Sequence, residues 1–408
     1  MTLIPLCLLL LCALPLWVPV WGGHGDGVDE EYGWSMQRVP LILDSHTVHL
    51  RSPTFGGKVE GAGEDEQGGC GIKCQSALPP PDWATLESML GYETVYENGT
   101  RTHSDVTLQG LNDTTSHTPL HTPSHTRRKR QVYGEDGRFV ISDSHFTTSY
   151  PFSTAVRLST GCSGVQVSEK HILTAAHCVH DGKDYLQGVR RLKVGVLQEQ
   201  RRRGGMQRKK GSRSSRVQRS TEPKTQPSFH WTRVKQTHIP KGWIHTGDRT
   251  NAISHNYDYA LLELKQPIKQ KHMKLGVVAA TKPLPLGRIH FSGFDNEPEG
   301  GQKEGEREKV VYRFCSVTEE SDDLLYQHCD AQQGASGAGV YIRLRQEVVG
   351  SNKGKWQRKV IGVFSGHRWV DGDGGEQRDY NVAVRITPPK YAQICHWIHG
   401  DPSMCREA

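Results

Sequence analysis

The stretch that decides the fold is LTAAHC, residues 173–178, in which a short apolar run ends at His177 beside a cysteine. Elsewhere in the chain, Asp258 directly precedes the apolar run YALLEL, and the sequence GASG places Ser336 in a tight turn. Each of these pieces alone is common in proteins. Their joint occurrence, in the order His, Asp, Ser, is the specific signal.

These three residues match the requirements of acyl transfer. That reaction needs a hydroxyl nucleophile, a base that takes its proton, and a carboxylate that orients the base. We therefore predict Ser336 as nucleophile, His177 as base and Asp258 as the orienting acid. The main-chain N–H groups of Gly334 and Ser336 are the predicted oxyanion donors, and Gly334 lets the backbone turn without a side-chain clash. No cofactor and no metal is expected.

The second half of the chain has the pattern of a β-rich domain. Short runs rich in Val, Ile and Leu alternate with turn residues and not with helices, which favours a closed barrel or a sandwich. One helix is predicted near the end, with Thr387 as cap and Pro388 at its first position. Its apolar stripe comprises Tyr391, Ile394, Cys395 and Ile398.

From about residue 150 onward, the chain resembles the trypsin-like (chymotrypsin-fold, peptidase S1) serine proteases. LTAAHC is similar to the histidine motif of that family, and DYALLEL to its Asp-X-Ala-Leu-Leu pattern. The resemblance implies an all-β, chymotrypsin-like double β-barrel with a C-terminal helix and a protein or peptide substrate. It also implies a bridge between Cys162 and Cys178. Our further favoured pairs are Cys315 with Cys329 and Cys395 with Cys405.

A narrower resemblance leaves two functions open. The stretches CGIKCQSALP, GYETVYENGTRT and NVAVRITPPKYAQICHWIHG resemble the vertebrate serine proteases 23 and 35. Some serine protease 35 proteins carry threonine at the nucleophile position and are labelled inactive, whereas this chain has Ser336. One hypothesis is a secreted serine endopeptidase. The other is a catalytically inactive secreted protein that binds matrix or sulfated glycans.

The usual activation switch of the trypsin-like proteases is missing. In that family, cleavage frees an Ile or Val amino terminus, which pairs with an aspartate just before the nucleophile. Here the residue before the nucleophile is Ala335, and cleavage would expose Gln131, which can cyclise. Burying a charge without its partner is costly, so the absence of the aspartate agrees with the absence of a charged Ile or Val terminus. We predict an oxyanion loop that forms without N-terminal insertion, so that removing the pro-region unmasks the cleft or alters sorting.

Substrate preference is less clearly encoded. Asp330 lies six residues before Ser336, where trypsins place the acid that binds substrate Arg or Lys. The neighbouring Cys329 differs from the trypsin arrangement, so Asp330 is either the primary specificity residue or a structural acid. The glycine pattern after the serine resembles bacterial glutamyl endopeptidases. Phe364 stands in the strand where those enzymes use a histidine, which argues against an acidic substrate.

The N-terminal part reads as export and processing signals. Residues 1–22 are apolar, with Val20 and Gly22 placed for signal peptidase, which predicts a signal peptide; three prolines and the glycine exit argue against a membrane anchor. No later stretch has the ~20 apolar residues that span a bilayer. The chain has ten cysteines, of which Cys7 and Cys12 leave with the signal. The even remainder suits disulfides in a secreted, extracellular protein.

Residues 23–130 are predicted to be a largely irregular pro-region, followed by the protease domain at 131–408. A short helix is expected between Asp82 and Gly91. Sequons at Asn98 and Asn112 predict glycosylation. The pro-region ends in a multibasic run that suits a proprotein convertase, although a solvated charge run is the alternative. That run is Arg127, Arg128, Lys129 and Arg130.

A basic insert, residues 198–226, interrupts the protease domain. Its stretch at 201–219 holds nine Lys or Arg and no acid, which exceeds the formal net charge of +7 of the whole chain. Its Gly, Ser and charge content predicts a disordered loop. A solvated surface loop and a site for a sulfated glycosaminoglycan are equally open. Nucleic acid is not expected as the partner of a secreted protein.

Overall fold

A computed structural model describes residues 38–58, 81–110, 137–199, 227–244, 255–278, 287–295, 309–348, 351–371 and 377–406. These residues fall within one compact unit, Tyr32–Ala408. None of the helices in the described ranges is long and apolar enough to cross a membrane.

Most of the described residues form strands. In chain order they are β1 (Leu41–Leu50), β2 (Tyr92–Tyr96), β3 (Arg101–Gln109), β4 (Arg138–Ile141), β5 (Ala155–Leu158), β6 (Ser163–Gln166), β7 (His171–Thr174), β8 (Lys193–Glu199), β9 (Pro227–Pro240), β10 (Ala260–Leu264), β11 (Lys274–Leu275), β12 (Arg288–Gly293), β13 (Val310–Glu320), β14 (Leu324–Gln327), β15 (Gly339–Val348), β16 (Ser351–Asp371) and β17 (Gln377–Arg385).

Helices are few. The α-helices are α1 (Trp83–Leu90), α2 (Ser144–Thr147) and α3 (Pro388–His399), and the 3₁₀ turns are Phe152–Thr154, Ala176–Cys178, Gln187–Arg191, His255–Tyr257 and Pro402–Cys405.

Two six-stranded barrels form the body of the protein. Strands β5 to β10 pair in the order β9-β10-β7-β6-β5-β8, and the β8–β9 pairing closes this N-terminal barrel. Strands β12 to β17 pair in the order β16-β15-β12-β13-β14-β17, and the β16–β17 pairing closes the C-terminal barrel. Closure removes free sheet edges from each barrel. The predicted all-β double barrel is therefore confirmed.

The C-terminal helix α3 follows the prediction closely. It starts at Pro388, with Thr387 at the capping position, although the Thr387 side chain makes no capping hydrogen bond. Ile394 and Cys395 are buried on the predicted stripe. The helix ends at Gly400, whose φ of 68° is the left-handed conformation that glycine adopts readily.

The pro-region is more regular than the sequence predicted. Helix α1 was expected, and Asp82 caps it by accepting a hydrogen bond from the Thr85 N–H, at 2.8 Å. Strands β1, β2 and β3 were not expected, and they extend the sheet of the N-terminal barrel from β9 in the order β2, β3, β1. The alternation in β3 escapes notice because two of its four buried side chains are Thr102 and Ser104, not apolar residues.

Three disulfides join the pairs that were favoured from the sequence. Cys162 is bonded to Cys178, Cys315 to Cys329 and Cys395 to Cys405. The first holds the start of β6 to the turn after β7, and the second joins β13 to the loop after β14.

Candidate active site

The histidine of the site is positioned by β7. The interior of this strand is apolar, with Ile172 and Leu173 fully buried, so the chain emerges at a fixed point. The 3₁₀ turn Ala176–Cys178 then presents His177 at the barrel end, with 29% of its side chain exposed. The bridge from Cys178 to β6 fixes this turn from the other side.

The carboxylate of Asp258 holds this histidine through two hydrogen bonds. Its Oδ2 lies 2.8 Å from His177 Nδ1, and its Oδ1 accepts the His177 main-chain N–H at 2.9 Å. Ser365 Oγ also donates to Oδ2, at 2.5 Å. Asp258 is 1% exposed, so the pairing is shielded from water.

Burial and hydrogen bonding oppose each other at Asp258. Burial raises its pKa, but attraction to His177 and the hydrogen bonds from His177 and Ser365 outweigh that effect and lower the pKa to about 2. The carboxylate therefore stays ionised throughout the physiological range. Beyond it, an amino group of Arg368 donates to Ser365 Oγ at 3.3 Å, and burial lowers the pKa of Arg368 to about 10.

Ser336 lies in a pair of successive turns between β14 and β15. The Ala335 N–H donates to the Gln332 carbonyl and the Ala338 N–H to the Ala335 carbonyl, both at 3.0 Å. Each turn carries a glycine with positive φ at its third position, Gly334 at 104° and Gly337 at 86°. That position of a type II turn requires such a conformation.

The nucleophile loop is anchored to the N-terminal barrel through Ser163. The Ser163 N–H donates to the Ser336 carbonyl at 2.8 Å, and its hydroxyl donates to the Gly334 carbonyl at 2.7 Å. Space is tight there, because a Cβ on Gly337 would lie 2.2 Å from Thr174 Oγ1 and 2.3 Å from the Ser163 carbonyl. The anchoring brings Ser336 to the same end of the barrels as His177.

Two main-chain donors of this loop are unused. Among the described residues, neither the Gly334 N–H nor the Ser336 N–H donates to an acceptor, whereas the Gly337 N–H binds the Phe364 carbonyl at 2.7 Å. Free N–H groups beside a nucleophile are what an oxyanion requires. No hydrogen bond joins Ser336 Oγ to His177 Nε2 in the described structure, and Nε2 lies 3.8 Å from Cys178 Sγ.

A different contact links the start of the protease domain to this loop. Strand β4 pairs with β13, and the Gly137 N–H donates to Asp330 Oδ2 at 2.7 Å. Arg313 Nε donates to the Asp330 carbonyl at 2.7 Å, and the buried Arg313 guanidinium also pairs with Asp295. Ala335, the residue before the nucleophile, is fully buried. One oxygen of Asp330 is therefore committed to the backbone, and the other, Oδ1, is buried without a hydrogen bond in the described structure.

A sulfur-containing cluster beside the site is not suited to a metal. Cys162, His177 and Cys178 lie close enough together to share an ion in the described part of the chain. Both sulfurs belong to one disulfide, however, and zinc sites use free thiolates.

Sequence reasoning missed the supporting residues Ser163, Ser365 and Trp243. The Trp243 ring centroid lies 6.5 Å from that of His177, and its Nε1 donates to the His180 carbonyl at 2.9 Å. A serine at a strand end has no distinguishing local pattern. The buried tryptophan in IPKGW was the one available signal, since such a large side chain in a turn-like sequence needs a packing partner.

Several predicted sites have no structural description. Residues 1–22, Asn112, Arg127 to Arg130 and most of the insert at 198–226 lie outside the described residues. Asn98 is described, is exposed, and occupies a turn in which its Oδ1 accepts the Thr100 N–H at 2.9 Å.

Several known proteins are similar to this chain in sequence. The family described as Trypsin matches residues 140–394. Inactive serine protease 35 of Mus musculus is 47% identical over 96% of this chain and 98% of that protein. Serine protease 23 of Homo sapiens is 48% identical over 92% of each. A solved structure of Glu endopeptidase in complex with MPD, 19% identical, covers 65% of this chain and 98% of that one with a TM-score of 0.43. The chain therefore belongs to the trypsin family of serine proteases, with serine proteases 35 and 23 among its relatives.

Proposed function

We propose that this protein is a secreted serine endopeptidase that hydrolyses peptide bonds with His177, Asp258 and Ser336, without the usual N-terminal ion pair. The observation that carries the proposal is the pair of hydrogen bonds between Asp258 and His177, in which each carboxylate oxygen binds the same residue. Such a pairing keeps Nδ1 protonated and leaves Nε2 as the base.

The reaction follows from these positions. Ser336 Oγ attacks the substrate carbonyl carbon while His177 Nε2 takes the hydroxyl proton, and the oxyanion is stabilised by the Gly334 and Ser336 N–H groups. The imidazolium then protonates the leaving amine, and the C–N bond breaks. Water then attacks the acyl-enzyme carbonyl while His177 Nε2 takes a proton from it. The Ser336 oxygen leaves and receives that proton, which restores the hydroxyl. Approach of Ser336 to Nε2 is expected when substrate binds, since catalytic hydrogen bonds are often formed only in the complex.

A second candidate is a protease-like protein without catalytic activity. The names of the serine protease 35 relatives favour it, as does the missing hydrogen bond between Ser336 and His177. In that case the basic insert would bind matrix or sulfated glycans. Removal of residues 201–219 should then abolish binding to a heparin column at physiological salt.

A fluorophosphonate probe distinguishes the two candidates. We expect wild-type protein to be labelled and Ser336→Ala to lose labelling at least about a thousandfold, because only an activated serine reacts. Ser316→Ala, at an exposed serine of β13, is the matched control and should label like wild type. Labelling that survives Ser336→Ala, or is absent in wild type before and after convertase treatment, would defeat the endopeptidase.

The same measurement tests the missing switch. If the oxyanion loop forms without N-terminal insertion, the intact and the cleaved protein label equally. Labelling that requires cleavage and disappears when the new amine is blocked would contradict it. Export, cleavage after Arg130 and glycans at Asn98 and Asn112 belong to the same proposal. Sequencing the secreted chains should show a new terminus at Gln131.

A further inference from the structure

We infer that the pro-region residues 38–58 and 81–110 stay bound to the protease domain after cleavage, as a permanent non-covalent part of the mature protein. The inference rests on the proposed cleavage after Arg130. In this arrangement the pro-region is not released to uncover the cleft. It remains in place and supports the catalytic histidine.

The first support is the sheet. β2 pairs along its full length with β9, from Tyr92 opposite Pro240 to Tyr96 opposite Gln236. β3 covers its other edge, and β1 covers β3. Loss of the pro-region would expose this edge of β9, which is a template for aggregation.

The second support is a shared core. The pro-region buries a set of apolar side chains in the same cluster as the N-terminal barrel and helix α3. The Tyr92 ring packs edge-on against Trp397 of α3, with centroids 5.4 Å apart, and against His238 of β9 at 5.7 Å. The set comprises Val39, Ile42, Leu90, Tyr92, Val95, Val106 and Leu108. Release would move these apolar surfaces, and those they cover, into water.

The third support is a set of buried polar contacts across the boundary. Gln393 of α3 is fully buried, and its Nε2 donates to the Leu90 carbonyl while its Oε1 accepts from Tyr259. Thr94 Oγ1 lies 2.9 Å from His238 Nδ1, and both residues are buried. Departure of the pro-region would exchange these buried contacts for contacts with water, so each of them contributes to retention.

The pro-region also reaches the wall of the active site. The end of α1 accepts two hydrogen bonds from the turn after β9: Gly242 N–H to the Met89 carbonyl at 3.0 Å, and Lys241 N–H to the Gly91 carbonyl at 2.6 Å. The next residue is Trp243, which packs beside His177. The pro-region therefore fixes one side of the histidine pocket.

No disulfide of the described structure crosses the boundary. The six cysteines of the described residues all lie in the protease domain and are paired among themselves. Cys70 and Cys74 of the pro-region lie outside the described residues and have no partner among those six. Non-covalent packing therefore has to hold the two chains together.

The test is native size-exclusion chromatography of full-length protein after digestion with a furin-type convertase. We expect the two fragments to co-elute and to separate only in denaturant, without reductant. Separate elution under native conditions would overturn the inference. Retention of the pro-region does not depend on catalytic activity. Fragments that co-elute but are not labelled by fluorophosphonate would therefore contradict the proposed function without contradicting this inference.

Three variants sharpen this test. Replacing Arg127–Arg130 by the site of a viral 3C-type protease separates failure of convertase processing from failure of retention. Gln393→Ala should speed fragment dissociation at least tenfold, because the Leu90 carbonyl loses its buried donor. His399→Ala, exposed on the same helix, is the control and should stay within twofold of wild type. Equal dissociation rates for Gln393→Ala and His399→Ala would contradict a stabilising contact between Gln393 and the Leu90 carbonyl.

Discussion

The two halves of the candidate site are built by different means. On the N-terminal barrel, His177 and Asp258 form a hydrogen-bonded pair whose surroundings include the pro-region, through Met89 and Gly91. On the C-terminal barrel, Ser336 is placed by main-chain turns and glycines, tied to β4 through Gly137 and Asp330. The chain before the multibasic run thus supports the base, and the chain after it supports the nucleophile.

In the proposed endopeptidase, this contrast would take the place of the usual activation switch. In the trypsin family, a new terminal charge orders the nucleophile loop. Here the loop has a hydrogen bond from Gly137, a backbone donor that exists before any cleavage. The proposed cleavage after Arg130 lies between these two supports in the sequence.

In the half of the site that carries Ser336, the largest loss of stability is expected from adding a methyl group at Gly337. We expect Gly337→Ala to lower the free energy of unfolding by about 1–2 kcal/mol through its left-handed backbone and by roughly 1–3 kcal/mol more through collision with Thr174 and Ser163. Gly99→Ala has the same φ of 86° with no atom within 4 Å, so it isolates the backbone contribution. Urea unfolding measures both, and equal losses would show that the loop yields without cost.

The base half should weaken in acid at its contact with the pro-region. Burial and the nearby His171 lower the pKa of His238 to about 3, with further effects from Asp44, His396 and Lys235. Below pH 6.5 the His238 ring binds a proton in the unfolded chain but not in the folded one. The contribution of His238 to the free energy of unfolding is therefore complete above pH 6.5 and decreases as the pH falls toward 3. At pH 5 the loss is about 2 kcal/mol.

The measurement for His238 is urea unfolding at pH 7 and pH 5, for wild type and His238→Gln. The variant lacks the titrating ring, and its smaller pH dependence should reveal the contribution of His238 against the other titrating groups. Identical pH dependence in the two proteins would contradict it.

Asp330 offers the smallest and most discriminating change. If it tethers Gly137, Asp330→Ala loses about 1 kcal/mol of stability, whereas Asp330→Asn keeps an acceptor and most of that stability. If Asp330 is the primary specificity residue, both variants lose cleavage after Arg and Lys alike. Thermal unfolding combined with cleavage of a peptide library separates the two roles. Equal destabilisation by Asn and Ala would remove the tether.

The sequence predicted many of the strands of the protease domain and the ends of two helices because their signals are local, whereas the double barrel was implied by the resemblance to the trypsin-like proteases. Apolar runs bounded by turns mark strands, and the cap at Asp82 with the stop at Gly91 marks a helix of eight residues. Strand β1 was missed because it buries a single residue, Ile42, and β2 and β3 were missed because their buried residues include Thr94, Thr102 and Ser104. Their partners β9 and α3 also lie far along the chain. A strand of this kind is recognisable only through its neighbours.

The resemblance to the trypsin-like proteases implied the bridge between Cys162 and Cys178, and the other two pairs were favoured choices that the structure confirmed. By itself, the sequence determined the family motifs, the order of His177, Asp258 and Ser336 and the absence of an acid at position 335. These are matters of residue identity and short spacing. The tertiary structure alone decided that the pro-region joins the core, that Asp330 binds Gly137 and that Ser163 and Ser365 support the site. Those contacts join residues that are tens to hundreds of positions apart, and burial, not local pattern, makes them stable.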